Sequence, residues 1–339
     1  MKKHANIPIF IPHLGCPNQC VFCNQRTISG VCEFDIETVR QTIDSSLTTI
    51  PFGTEVEIAF FGGSFTGIDR DLMISLLEIA YSYIKRGAVS SIRCSTRPDY
   101  IDEEILEILK GYGVKVIELG LQSVNERVLL ATRRGHTAED ARRACKMIVD
   151  NGFSLVGQMM IGLPNSDLES EIETAEFIIS MGAVAARIYP TVVFRETELC
   201  NMAECNLYTP ITLEDAVARS AEVMKRFISA GVKVIRIGLC ASENLNADET
   251  YYAGPNHSAL GELVLNEMYY NIIKEEILKI PNLKNIIHVY VAKGELSRAI
   301  GQKKKTKLAL ISEFSLEEVR FSEDSELSSF EVRVVSEER

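Results

Sequence analysis

No stretch of this 339-residue chain is apolar for long enough to cross a membrane as a helix. That absence removes membrane-spanning helical classes, and no membrane partner is expected. Residues 1–6 are too few and too polar to act as a secretion leader, so export is not expected either. Positive charge is also scarce. Lysines and arginines number 36 against 47 aspartates and glutamates, giving a net charge of −11. A broad electrostatic grip on a polyanion needs the opposite balance, so no DNA partner is expected. Lys303, Lys304, Lys305 and Lys307 form the one dense basic run, and it reads as a solvated turn between strands. Cysteine, by contrast, is plentiful. Nine cysteines without a leader suit a reducing, cytoplasmic compartment. Cys94, Cys145, Cys200, Cys205 and Cys240 stand apart from one another or lack ligand-like spacing, and they read as buried thiols.

The remaining cysteines are grouped. Cys16, Cys20 and Cys23 follow a C-x3-C-x2-C spacing directly after the apolar run Ile7 to Ile11, the pattern of a strand that ends in a ligand loop. Three soft thiolates this close point to zinc or an iron–sulfur cluster. A closed structural zinc site, or a four-iron cluster held by cysteine alone, needs four protein ligands. Cys32 or His13 could supply the fourth for zinc. With three, one iron keeps an open position where a substrate or cofactor can bind. The non-catalytic alternative is a zinc-bound interaction module.

Further along, short strand-like runs alternate with longer helical ones. The strands are read at 55–61, 91–95, 115–121, 154–161, 185–193 and 232–237, with helices between them. That alternation predicts a parallel α/β sheet, with ligands at the edge where the strands end. Six strand–helix units between residues 7 and 230 predict a partial (β/α)6 TIM-type barrel. Beyond residue 280 the runs 285–291, 307–312, 317–322 and 330–335 read as a small antiparallel sheet. The expected division is therefore a barrel over residues 1–280 and a β-rich extension over 281–339.

Several segments at the strand ends, taken in order, carry a resemblance. They are the cysteine spacing, Phe61 to Thr66 with its Gly62-Gly63 pair, Ser95 to Asp99, Arg134-Gly135-His136-Thr137, and Ile188 to Thr191 followed by Arg195 and Thr197. Together they resemble the radical SAM enzymes; the stretches other than the cysteine spacing, which Elongator has differently, are most similar to the Elongator catalytic-subunit branch that modifies tRNA uridine. Oxygen-independent coproporphyrinogen oxidases are more distantly similar. The resemblance implies a [4Fe–4S] cluster on Cys16, Cys20 and Cys23 whose open iron binds S-adenosylmethionine. One electron would cleave that cofactor to methionine and a 5′-deoxyadenosyl radical, which abstracts hydrogen from substrate. It implies an electron donor of the flavodoxin or ferredoxin type. The substrate would be a tRNA or nucleoside; the alternative is a small-molecule or porphyrin-type substrate.

The resemblance also assigns residues. Gly62 and Gly63 match the backbone that receives the methionine amino group, with Ser64 where the family usually has Glu. Gln122 matches a contact to the nucleoside and Arg134 a partner of the methionine carboxylate. Ser95 and Gln158 stand where the porphyrin enzymes carry acidic residues that touch the cofactor. Met160 and Ile161 match the segment beside the adenine, and Tyr189 is a candidate to line the same pocket. The later residues show no glycine-rich cradle for a pyrophosphate, so the acetyltransferase domain of the Elongator branch is not expected. For catalysis the residues leave only Tyr251, Tyr252 and His257, in a polar glycine-rich stretch, as candidates.

Overall fold

The computed structural model describes residues 4–11, 16, 20–24, 34–239 and 250–337. His13, Cys32 and Cys240 lie outside the described residues. The described chain folds as two compact units, Met1–Ile211 with Arg226–Asn256, and Thr212–Lys225 with His257–Arg339.

The first unit is built on one seven-stranded sheet. Its strands are β1 (His4–Ile11), β2 (Glu55–Gly62), β3 (Ser91–Thr96), β4 (Val114–Gln122), β5 (Ser154–Ile161), β6 (Ala185–Pro190) and β8 (Lys233–Ile237), hydrogen-bonded in that order. Every pairing is parallel. Helices return the chain between them: α1 (Glu37–Thr49), α2 (Arg70–Lys85), α3 (Glu103–Gly111), α4 (Glu126–Ala131), α5 (Ala138–Asp150) and α6 (Leu168–Ser180). This is the expected parallel partial barrel, with a seventh strand in the same sheet.

Polar residues set where the helices start. Asp69 accepts from the backbone of Asp71 and Leu72 at the start of α2, and Asp102 accepts from Ile105 at the start of α3. Thr137 and Asp140 form a reciprocal capping box on α5, and Asp167 and Ser170 form one on α6. Each satisfies backbone donors that the first helical turn leaves open. The helices bury Leu76, Leu77, Leu109, Ile148 and Ile178 among sheet residues such as Ile58, Ile92, Ile117 and Ile188.

On alternate positions the strands carry charge instead. Ser91 donates to Glu57 at 2.6 Å, and Arg93 joins Glu57 to Glu118 with bonds of 2.9 Å to each. Arg187 and Gln158 then donate to Glu118 at 3.0 Å. Glu118 is fully buried, so each of its oxygens needs these donors to offset lost solvation. Burial opposes the Glu57 charge, but Ser91, Arg93 and His4 outweigh it and hold its carboxyl below the usual range.

Residues 185–193 do not make one strand. β6 ends at Pro190, which has no amide hydrogen for the ladder, and β7 (Val193–Phe194) pairs antiparallel with β9 (Tyr251–Ala253). Next come α7 (Glu198–Glu204) and α8 (Leu213–Ser229).

The second unit holds α9 (Leu260–Leu278), β10 (Ile286–Ala292), α10 (Leu296–Ile300), α11 (Lys305–Phe314), β11 (Glu318–Asp324) and β12 (Val332–Glu337). Its sheet order is β11-β10-β12. The sheet is mixed, not wholly antiparallel, because β10 and β11 run parallel while β10 and β12 run antiparallel. The run 307–312, expected as a strand, is part of α11. Thr306 and Leu310, four residues apart, are its buried side chains, and that spacing is helical. α9 also belongs here, burying Tyr269, Ile273 and Ile277 with Ile287, Val289 and Val319 of the sheet. Among the described residues no helix is long and apolar enough to cross a membrane.

Candidate active site

The strand ends of the first unit surround a cavity of about 790 Å³. Cys16, Cys20 and Cys23 all line it. Between them the chain is fastened by Val21, which is 1% exposed and sits in a small apolar cluster with Val193, Leu199 and Tyr208. Val21 N–H donates to the Thr132 carbonyl at 3.2 Å, and Leu199 N–H donates to the Val21 carbonyl at 2.8 Å. Cys23 N–H closes a tight turn onto the Cys20 carbonyl at 3.0 Å. Among the described residues no three Cys, His, Asp or Glu side chains converge as the ligands of a single ion would. The three thiols share a cavity, and a cluster spreads its thiolates over separate irons.

Gly62, Gly63 and Ser64 form the adjoining wall at the end of β2. Gly62 has φ +110° and a Cβ there would strike the Ile11 carbonyl, while Gly63 N–H donates to the same carbonyl at 2.9 Å. Only glycine lets the two strand ends approach this closely. The Ser64 hydroxyl lies 3.6 Å from Cys16 Sγ.

Gln122 ends β4 with φ +66°, after a register shift between Gly120 and Gln122 in the β4–β5 ladder. A bulge of this kind re-aims a side chain, and Gln122 lines the cavity. Its Oε1 is buried without a hydrogen-bond partner, as is Arg134 Nε. Arg134 is itself fixed: Nη1 donates to Cys20 Sγ at 3.1 Å and Nη2 to the Gly120 carbonyl at 2.5 Å. Ser95 and Gln158 also line the cavity and meet at 3.3 Å.

Three other named positions lie off the lining. Met160 is half-buried and Ile161 fully buried at the end of β5. Tyr189 bonds Arg187 and lies close to the Glu118 charge. Of the candidates for catalysis, Tyr251 donates to the Gly254 carbonyl at 2.7 Å and Tyr252 sits under the Arg195 guanidinium at 5.6 Å. His257 belongs to the second unit, where its Nδ1 accepts from Ala259 N–H at 3.1 Å.

The cavity has further members to which motif reading gave no role. Arg97 is one, buried and held by Asp99 at 2.9 Å. Burial opposes the Arg97 charge, but Asp99 and then Cys20 and Cys16 outweigh it and raise its pKa. Arg133, Glu196, Thr197, Glu198 and Asn201 also line the cavity, with Arg133 and Glu198 paired at 3.3 Å. The signals were present as the Thr-Arg-Pro-Asp and Arg-Glu-Thr-Glu runs at element ends. His136 is 4% exposed with neither ring nitrogen bonded. Burial, then Arg134 and Arg97, push its pKa down to about 3, so the ring is neutral. Of the isolated cysteines Cys94, Cys145 and Cys200 are buried, and burial pushes the Cys145 thiol up to about 12. Cys205 departs from expectation and is exposed, because it follows the last turn of α7.

The donor set suits the group that the sequence resemblance implies. Thiols provide soft iron ligands, the orphaned Gln122 acceptor and Arg134 donor suit a polar nucleoside-bearing ligand, and the glycine edge admits its backbone contacts. A parallel half-barrel with clustered thiols at its strand ends is the architecture of enzymes that pair an iron–sulfur cluster with a bound cofactor. Residues 10–178 match the Radical SAM superfamily, and residues 184–270 match the Radical SAM C-terminal domain. The chain belongs to the radical SAM superfamily.

It is similar to the tRNA uridine(34) acetyltransferase of Methanocaldococcus jannaschii, 30% identical over 264 residues, which covers 71% of this chain and 46% of that one. It is similar to the Elongator complex protein 3 of Danio rerio, 34% identical over 190 residues, covering 49% and 34% respectively. The chain thus spans less than half the length of either relative. Among solved structures, the archaeal Methanocaldococcus infernus Elp3 with an N-terminal deletion superposes with a TM-score of 0.62 at 21% identity, covering 81% of this chain and 64% of that one. That likeness is one of fold.

Proposed function

We propose that Cys16, Cys20 and Cys23 hold a [4Fe–4S] cluster and that S-adenosylmethionine fills the cavity beside them. The carrying observation is that the three thiols, the Gly62-Gly63-Ser64 edge, Gln122 and Arg134 line one cavity. When bound, the cluster would supply one electron to S-adenosylmethionine, whose cleavage provides the species that abstracts hydrogen from substrate. The chain's own groups bind and orient. Gln122 Oε1 accepts from the nucleoside, Arg134 Nε donates to the carboxylate, and the backbone of Gly62 and Gly63 receives the amino group. Ser64 is positioned against Cys16, and Ser95 and Gln158 set the cavity wall that Glu118 holds in place. Met160, Ile161 and Tyr189 act one layer out, as the packing beneath the adenine side.

The substrate reading is a tRNA nucleoside, supported by the relatives named for tRNA uridine(34) and for Elongator. The net charge of −11 favours a small-molecule substrate instead. The test is anaerobic. The protein is reconstituted with iron and sulfide, then given dithionite and S-adenosylmethionine, and 5′-deoxyadenosine is quantified with and without tRNA. Formation by the wild type and its loss in Cys20→Ala are expected. Stoichiometric zinc with no cleavage in the presence of tRNA or small-molecule candidates would sink the reading. Stimulation by tRNA supports the nucleoside substrate, and tRNA without effect on cleavage or binding points to the small molecule.

A further inference from the structure

One cation in the cavity wall has no part in the roles above. Arg97 is 4% exposed, and its Nε and Nη2 donate to the two carboxylate oxygens of Asp99 at 2.9 and 3.0 Å. Nη2 also donates to the Arg134 carbonyl. These bonds fix the guanidinium plane and leave Nη1 facing Cys20 Sγ at 3.8 Å. The Arg134 guanidinium reaches the same sulfur from its own side at 3.1 Å. Two buried guanidiniums therefore converge on one thiol, although their like charges repel at short range in a dry site. Asp99 neutralises one of the two. A bracket that served only to tie residue 97 to residue 134 would need the carbonyl bond, not a second charge aimed at a sulfur.

We infer that Arg97 is a positioning residue that, clamped by Asp99, raises the reduction potential of the cluster held at Cys20. This rests on the cluster assignment above. Donors and positive charge beside a ligating sulfur stabilise the reduced cluster, which carries one more negative charge, over the oxidised one. Reduction adds one electron from an external low-potential donor to the cluster. No bond to Arg97 forms or breaks, and no proton moves. Arg134 is directed to the cofactor carboxylate on binding, whereas Arg97 is held back from it by Asp99. Arg97 thus keeps its Nη1 donor at the sulfur.

The test is an EPR-monitored redox titration of the reconstituted 339-residue chain without S-adenosylmethionine, comparing wild type with Arg97→Gln and Arg97→Lys. Iron and sulfide per chain are measured on each sample. Arg97→Gln is expected to keep its cluster but to be about tenfold harder to reduce, a midpoint lower by about 59 mV for one electron. Arg97→Lys keeps the charge and loses the fork, so it is expected to fall between the two. A midpoint equal to wild type in every variant that carries a cluster would overturn the inference. So would loss of the cluster from both variants with melting and circular dichroism unchanged, since Arg97 would then serve assembly and not potential. A wild-type protein that takes up no iron or sulfide removes the cluster assignment itself, which is a separate and recognisable failure.

Discussion

Gln122 combines two features that a side chain seldom has for packing reasons alone. Its backbone is left-handed and its buried oxygen is unbonded. Strain of this kind costs on the order of 1–3 kcal/mol and persists where the site uses it. Gln122→Ala is therefore expected to weaken S-adenosylmethionine binding to the reconstituted protein about tenfold, from the loss of one hydrogen bond of roughly 1.4 kcal/mol, without lowering stability. Equilibrium binding and melting measured together check it. His136 gives a pH prediction. Its folded pKa is depressed to about 3 by burial and by Arg134 and Arg97, below the value near 6.5 of an unfolded histidine. The unfolded chain then takes up the proton first, so stability is full above about pH 6.5 and falls as pH drops toward 3. Melting as a function of pH should show that slope in the wild type, and His136→Phe should flatten it. At this scale the cysteines were legible because C-x3-C-x2-C is local. The partner of Arg97 was not: Cys20 lies 77 residues earlier, and no spacing rule reaches that far.

Helix and strand ends carry the next layer. Removing the Thr137 hydroxyl breaks one half of the capping box on α5, the Asp140 N–H bond to Thr137 Oγ1 at 3.1 Å, and leaves the other half, Thr137 backbone N–H donating to Asp140 at 2.9 Å. Thr137→Ala should cost about 1 kcal/mol, read as a lower denaturant midpoint at unchanged slope. The Thr137 bonds hold the Asp140 carboxyl below its usual range, so its share of stability is present above that range and lost as pH falls through it. Gly62→Ala should be worse, by roughly 1–3 kcal/mol, because the added Cβ meets the Ile11 carbonyl at a φ that suits glycine; iron content per chain should fall with it. Most elements were readable from period and caps. Two exceptions have physical causes. Leu308-Ala309-Leu310-Ile311 is an unbroken apolar run, which suits a strand or a buried helix equally until its packing partners are known. Arg93, Glu118 and Arg187 sit where an alternating strand turns its polar side, so in sequence they resemble a wet face. In the fold they are neutralised together with Glu57, two cations against two carboxylates.

At the scale of the molecule, the alternation of strands and helices was enough to establish a parallel half-barrel. The division of the chain was harder to read. Residues 212–225 group with 257–339, across a segment that returns to the first unit, and sequence offers no linker at those points. The acidic surface sets an expectation for RNA. A net charge of −11 leaves only local basic groups to meet phosphate, so under the proposed tRNA reading affinity should depend on salt with a shallow slope, of about two to four released counterions. A filter-binding series in potassium chloride would measure it, and a much steeper slope would contradict the small phosphate footprint. The fastening of Val21 to Thr132 and Leu199 makes the placement of Cys20 and Cys23 answer to two distant stretches of the chain, so a substitution that shifts either stretch is transmitted to the thiols.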